Sequence, residues 1–154
     1  MLKKILSITI FLLMTSCGYE AMYSLENSVK YDFSITGITF EGDRDINTMI
    51  KRKFNGYTKI EKERRFQLNI KSITNKVILV KNAAGEATNF ENNTTTSTDV
   101  FLDGKLIAVV QISKALKYDN IANKFDLQNY EKELKINLAE TIADELIFKL
   151  SNIK

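Results

Sequence analysis

The sequence contains no histidine, no tryptophan, no proline and a single cysteine, Cys17. Ser-His-Asp and Cys-His hydrolases are excluded because both need an imidazole base. Zinc sites are usually built from histidine and cysteine, so a zinc site here would have to use carboxylates alone. We therefore predict no metal site and no cofactor. One thiol also makes a disulfide within the chain impossible.

The chain carries little excess charge of either sign. Its 22 basic and 19 acidic residues give a net charge of +3, which falls to about +1 without Lys3 and Lys4 at the N-terminus. Nucleic-acid-binding domains concentrate positive charge on one surface. We therefore expect no nucleic-acid partner.

The N-terminus has the layout of an export signal. Lys3 and Lys4 precede the apolar run Ile5–Met14, and Thr15-Ser-Cys17 follows. This order of a basic, an apolar and a small-residue segment is typical of a secretory signal. A run of about ten residues is too short to span a bilayer, which needs roughly twenty. The cysteine at the end of this segment allows two interpretations: a lipoprotein signal, or an ordinary secretory signal that happens to end at a cysteine.

The residues M-T-S-C before and at Cys17 resemble a lipobox, the site of lipoprotein signal cleavage. The resemblance implies a diacylglycerol thioether on Cys17 and a fatty acyl group on its new α-amine. Stable membrane anchoring requires at least two such lipid signals. We predict a signal peptide over residues 1–16, an acylated tether over 17–32 and one periplasmic domain over 33–154.

The domain begins with a strand and a short helix. Residues 33–40 alternate around Gly37, which predicts a strand with a bulge or a close approach of the backbone at this glycine, and Gly42 ends the strand. Asp43 or Asp45 can cap the helix that follows. The apolar residues of this helix recur at helical spacing: Ile46, Met49, Ile50 and Phe54.

Three long strands are predicted next. They cover residues 64–81, with a twist or bulge near Asn75, then 87–102 and 105–118. The dipeptide Asp103-Gly104 lies between the last two, and Asp-Gly favours a type I′ hairpin turn. The chain therefore predicts antiparallel pairing of consecutive strands.

The final element is a helix over residues 127–150. Its apolar residues recur every four positions: Leu134, Leu138, Ile142, Leu146 and Leu150. The order β-α-β-β-β-α predicts an α+β fold. We expect a two-layer sandwich in which two helices cover one face of a four-stranded, mostly antiparallel sheet.

Several short motifs resemble the LptE family of lipopolysaccharide-assembly lipoproteins, also called rare lipoprotein B, and especially its alphaproteobacterial branch. The stretch Cys17-Gly-Tyr-Glu-Ala-Met-Tyr23 is similar to the family's C-G-[FY]-x-P-[LM]-Y start, with Ala21 in place of proline. Gly85-Glu-Ala-Thr88, Leu102-Asp-Gly-Lys105 and Leu138-Ala-Glu-Thr-Ile142 match later family segments in the same order. The order of elements carries the resemblance along the mature chain.

The resemblance implies a protein without enzymatic activity on the periplasmic face of the outer membrane. Members of this family bind inside the lumen of the large β-barrel LptD, and the two proteins insert lipopolysaccharide into the outer leaflet. Gly18, after Cys17, fits the sorting pattern of outer-membrane lipoproteins. The expected partners are an LptD-type barrel, lipopolysaccharide and the membrane that holds the acyl chains of Cys17.

Two sets of residues are candidates for these contacts. Barrel lumens are polar, which favours the Asn/Thr-rich part of the third strand as the barrel-contact surface: Asn92, Asn93, Thr94, Thr96 and Thr98. Lys76 and Lys81 are candidates for the phosphates of lipopolysaccharide, because charge-assisted hydrogen bonds to phosphate are strong. The alternative interpretation is a solvent-facing strand and two solvated lysines.

Other functions remain open from the sequence. One alternative is an accessory lipoprotein of a different envelope lipid-transport system, which would share the lipobox and an α/β fold. Another is a small carboxylate-based enzyme such as a glycosidase, which needs two carboxylates about 5 to 9.5 Å apart in a cleft. A binder of small ligands would instead contain a closed apolar pocket.

Overall fold

The computed structural model of the protein describes residues 30–153. In chain order, its elements are β1 (Ser34–Gly42), α1 (Arg44–Phe54), β2 (Arg65–Lys81), β3 (Ala87–Leu102), β4 (Lys105–Asp119) and α2 (Lys124–Ser151). This order confirms the predicted α+β fold. The predicted signal peptide, Cys17 and most of the predicted tether lie outside the described residues.

The four strands form one sheet in the order β1-β2-β3-β4. β1 runs parallel to β2, whereas the β2–β3 and β3–β4 pairs are antiparallel, as expected for a mostly antiparallel sheet. β1 pairs only with residues 65–72, the first half of β2. The second half of β2, residues 73–81, is paired with β3 alone.

The hairpin turn and the bulge predicted for the strands are both present. Asp103 has φ 50° and Gly104 has φ 77°, and two positive φ values are the signature of a type I′ turn. The β1–β2 register shifts between Ile35 and Gly37, which confirms the bulge predicted at this glycine.

The bulge predicted near Asn75 of β2 is wrong in position. Asn75 pairs regularly with Asn93, and the irregular steps fall between Ile78 and Lys81, next to the hairpin turn. A regular ladder accommodates Asn75 because its side chain is exposed. The extra residue is absorbed instead where the strand approaches the turn.

Side-chain caps begin both helices. The carboxylate of Asp43 accepts hydrogen bonds from the backbone N–H groups of Asp45, at 3.0 Å, and Ile46, at 3.2 Å. Asp43 is therefore the cap of α1. The side chain of Asn123 caps α2, accepting from the N–H of Phe125 at 2.9 Å. α2 begins three residues earlier than its apolar stripe predicted, because its first turn is exposed and follows no stripe.

Both helices pack on the same face of the sheet. Along β3 and the first half of β2, the even-numbered side chains are the buried ones, and the apolar ones among them join buried apolar residues of both helices in a single cluster. The buried residues of α2 all lie between Leu138 and Leu150. The first half of α2 therefore extends past the apolar core, over the far ends of the strands.

Two threonines of β3 provide a test of this packing. The hydroxyl oxygens of Thr96 and Thr98 are buried and have no hydrogen-bond partner in the described structure. Thr98→Val replaces a buried, unpaired hydroxyl with a methyl group of the same shape, so we expect the free energy of unfolding to rise by about 1 kcal/mol. Urea denaturation of the mature protein would measure this change.

Thr94→Val is the matched control for this substitution. The Thr94 side chain is equally buried, but its hydroxyl lies 3.1 Å from that of Thr74. We expect this variant to lose stability, because it leaves Thr74 without its partner. Equal effects of the two substitutions would contradict the assignment of an unpaired hydroxyl at Thr98.

Candidate functional surface

The predicted barrel-contact residues do not share one surface. Thr94, Thr96 and Thr98 are 0% exposed and Asn92 is 5% exposed, on the face of β3 that the helices cover. Their expected role as an exposed contact surface is therefore wrong. β3 is an inner strand, and its alternate side chains pack beneath the helices whether or not they are polar. Among the predicted residues, Asn93 lies on the other face.

The opposite face of the sheet has no helix over it, and it combines polar side chains with the exposed apolar side chains of Ile73 and Val109. We call it the open sheet face and define it by Asn69, Lys71, Asn93, Thr95, Ser97, Asp99, Gln111 and Ser113, which occupy matching positions in the strand register. The hydroxyl oxygens of Thr95 and Ser113 lie 3.0 Å apart across two strands. Its residues on β3 are shifted by one position along the chain from most of the predicted contact residues.

A signal for the correct face is present in the sequence. The Asn/Thr run is polar on both sides, so its composition cannot separate the two faces. Phe90 and Val100 flank the run at even positions, and both are buried. Because side chains alternate strictly along a strand, extending their parity assigns the even residues to the core and the odd residues to the surface.

A polar cleft of about 420 Å³ lies between the start of α1, the second half of β2 and the first half of α2. Its charged lining consists of Asp43, Asp45, Lys76, Glu131, Lys132 and Lys135. Asn92 also lines it, so this cleft brings together two of the residues singled out from the sequence. Lys81 lies outside the cleft, where β2 meets the hairpin turn.

Lys76 is already paired within this cleft. Its ammonium pairs with the carboxylate of Glu131 and lies 3.9 Å from the centroid of the Phe90 ring. The same Glu131 oxygen accepts a hydrogen bond from the Tyr118 hydroxyl at 2.9 Å. Burial and the neighbouring Glu131 carboxylate raise the pKa of Tyr118 well above its usual value. The cluster ties four elements together, β2, β3, β4 and α2, and any anion that binds Lys76 must compete with Glu131.

The other lysine at the centre of the cleft is paired as well. The ammonium of Lys135 lies 3.1 Å from Asp43 and 3.2 Å from Asp45. Burial by itself raises the pKa of Asp43, but the N–H of Ile46 and the charge of Lys135 outweigh it and hold the pKa below its ordinary value. A general acid needs a raised pKa. Asp43 is therefore unsuited to the acid role in a glycosidase.

The Asp43–Lys135 pair should make stability depend on acid pH. Because the pKa of Asp43 is depressed in the folded state, its contribution is complete above about pH 4 and is lost as the pH falls through the folded-state pKa. Asp43→Asn keeps a good helix cap but removes the charge. We expect it to cost about 1 kcal/mol at neutral pH and progressively less in acid. Urea denaturation at several pH values would measure this.

Asp45→Asn is the control for the pH experiment. The Asp45 side chain is 65% exposed, against 15% for Asp43, although both pair with Lys135. We expect this variant to follow the wild-type pH profile closely, because exposed pairs are screened by water. If Asp43→Asn lowered the free energy of unfolding by the same amount at all pH values, the cause would be damage to the helix cap rather than loss of the ion pair.

Residues 30–153 contain no cluster of acidic, histidine or cysteine side chains able to hold a metal ion. No helix in this range combines the length and hydrophobicity required to cross a bilayer.

The fold defines a class: a two-layer α+β domain with both helices on one face of the sheet and no helix on the other. No protein-family model matches the sequence, and no curated protein matches it closely. Solved structures do share the fold. Rare lipoprotein B from Shewanella oneidensis is similar with a TM-score of 0.54 and 12% identity, over 75% of this chain and 97% of that chain.

Two further lipoproteins have the same architecture. A minor lipoprotein from Acinetobacter baumannii is similar with a TM-score of 0.51 and 15% identity, over 76% of this chain and 94% of that chain. An uncharacterized lipoprotein B from Nitrosomonas europaea is similar with a TM-score of 0.52 and 14% identity, over 77% of this chain and 83% of that chain. The resemblance noted from the sequence is therefore confirmed at the level of the fold.

Proposed function

We propose that this protein is an outer-membrane lipoprotein of the LptE type, which partners an LptD-type β-barrel in lipopolysaccharide assembly. The main support is the fold, because it matches rare lipoprotein B over 97% of that chain. The Cys17-Gly-Tyr start, which resembles the first residues of mature family members, is independent of the fold. On this proposal, acyl chains on Cys17 hold the domain at the periplasmic face of the membrane.

The open sheet face is the surface we assign to the barrel. The lumen of a membrane barrel is polar, and Asn93, Thr95, Ser97 and Ser113 offer short donors and acceptors. Short side chains held in a sheet lose little conformational entropy when they bind. The protein acts as a plug and assembly factor and has no catalytic role.

Lys81 is the better candidate of the two lysines for a lipopolysaccharide phosphate. It is exposed and forms no ion pair within the described part of the chain, whereas Lys76 is held by Glu131. A phosphate can approach Lys81 without first displacing a carboxylate. Direct binding of lipopolysaccharide is the part of the proposal that depends on this residue.

Co-purification tests the proposal. The tagged, acylated protein would be extracted from native outer membranes in detergent, and its partners identified by mass spectrometry. A stoichiometric large β-barrel of the LptD type is the expected result. Recovery of a subunit of another transporter would overturn the lipopolysaccharide-assembly proposal and favour an accessory lipoprotein of a different lipid-transport system.

A pair of surface variants tests the face assigned to the barrel. Asn69→Arg adds a long cation to an exposed position of the open sheet face, and we expect recovery of the barrel to fall at least tenfold, because close packing against a lumen wall cannot accommodate it. Asn137→Arg places the same side chain at an exposed position of α2 and should leave recovery unchanged. Equal recovery with both variants would contradict the assignment of this face.

A further inference from the structure

The second half of β2 has an open edge. The carbonyl of Ser72 faces away from β3, because it accepts a hydrogen bond from the N–H of Asp43 at 3.0 Å. Main-chain groups alternate in direction along a strand, so those of Lys76 and Ile78 point to the same side. Within residues 30–153, no strand pairs with this side of β2 beyond Ser72.

The open edge is also apolar on both faces of the sheet. Val77, Ile78, Leu79 and Val80 are each between 43% and 51% exposed. Edge strands are usually protected from pairing by charges, by proline, by β-bulges or by their shortness. The run 77–80 contains neither a charge nor a proline and belongs to a strand of 17 residues, and β2 pairs regularly as far as Ile78, where its irregular steps begin. Its backbone and its side chains are both available to an added strand.

Charge at the two ends of this run selects against a second copy of the same chain. Lys76 and Lys81 flank the apolar residues. If two copies paired antiparallel with their apolar runs in register, Lys76 of one copy would lie opposite Lys81 of the other, at both ends. Like charges directly opposite across strands are destabilising. β2 itself holds four basic residues and no acidic residue, so no other register supplies an attractive pair.

We propose that the open edge of β2 binds an extended segment of a partner protein as a fifth strand. The segment that fits is apolar over about four residues and carries a carboxylate at each end, because it must match Val77–Val80 and the two flanking lysines. Backbone hydrogen bonds supply most of the affinity in this mode of recognition. The carboxylate opposite Lys81 contributes most to this selectivity, because Lys76 is already paired with Glu131. This inference does not depend on the identity of the barrel partner.

Amide hydrogen exchange of the mature, acylated protein in detergent micelles tests the proposal. The probe is a synthetic eight-residue peptide with four β-branched apolar residues between glutamates, added at millimolar concentration. A peptide with lysines in place of the glutamates is one control, and an acidic peptide methylated at alternate amide nitrogens, which cannot pair as a strand, is the other. We expect the amides of Lys76 and Ile78 to exchange about tenfold more slowly with the acidic probe alone.

Lys81→Glu changes the charge of an exposed side chain that makes no ion pair in the described structure. We expect this variant to reverse the ranking, so that the lysine-ended peptide binds roughly threefold more tightly than the acidic one. Unchanged exchange with every peptide, or equal slowing by the methylated peptide, would overturn the proposal. Equal binding of acidic and basic peptides would overturn its charge requirement.

Two other occupants give distinct results without any peptide. Slow exchange at Lys76 and Ile78 that increases with protein concentration would identify a second copy of the chain. Slow exchange that is independent of concentration and is lost when residues 19–29 are deleted would identify that segment of the chain itself. Either result would overturn the assignment of this edge to a partner protein.

Discussion

Replacing Gly42 with alanine is expected to destabilise the domain by about 3 kcal/mol or more, among the larger effects of a single substitution. Gly42 has φ +92°, and a Cβ atom at this position would lie 1.9 Å from the carbonyl oxygen of Ser72. This carbonyl also accepts the hydrogen bond from Asp43 that leads β1 into α1. Relief of the clash must therefore move β1 away from β2. Urea denaturation of the mature protein would measure the loss.

Gly85→Ala is the control that separates the cost of the positive φ from the cost of the clash with Ser72. Gly85 has a similar φ of +84°, but a Cβ atom there would meet nothing within 4 Å. Its substitution should cost only the conformational penalty, about 1 kcal/mol. A similar loss at both glycines would show that the left-handed backbone alone determines the effect, and that the close approach to Ser72 is relieved at little cost.

Loss of the proposed lipid anchor is the second large expected effect. Replacing residues 1–17 with a cleavable secretory signal that leaves no cysteine should move the protein from the membrane fraction to the soluble periplasmic fraction. A single acyl chain binds membranes with a constant of only about 10⁴ M⁻¹, and several chains together make anchoring stable. Removal of all of them should therefore release the protein that is not held by the proposed barrel partner. Fractionation and labelling with radioactive palmitate would measure the two consequences.

The control for this experiment is a signal exchange that retains a lipobox and Cys17. It should leave the protein on the membrane and labelled with palmitate. If the form without Cys17 stayed on the membrane, the anchor would have to be a protein contact rather than acyl chains. The folded domain should be unchanged in both forms, since its core lies within residues 33–150.

The sequence by itself determined the elements and their order. Local signals suffice for this: the four-residue spacing of the α2 stripe, the Asp103-Gly104 turn and the Asp43 cap each act over a few residues. These patterns predicted β2, β3 and β4 to within one or two residues of the observed limits. They work because hydrogen bonding in a turn or cap depends on neighbours in the chain.

The tertiary structure alone decided which surfaces are available. The pairing of Lys76 with Glu131 joins residues 55 positions apart, and no local pattern indicates it. The parity of Phe90 and Val100 indicates the buried face of β3, but the Asn/Thr run between them is polar on both sides, and only the helices over one face make the burial of its even residues evident. The open edge of β2 exists because β1 ends at Gly42, opposite Ser72, while β2 continues to Lys81. Register and helix placement are non-local properties, so a sequence that specifies its strands clearly can still leave its binding surfaces undetermined.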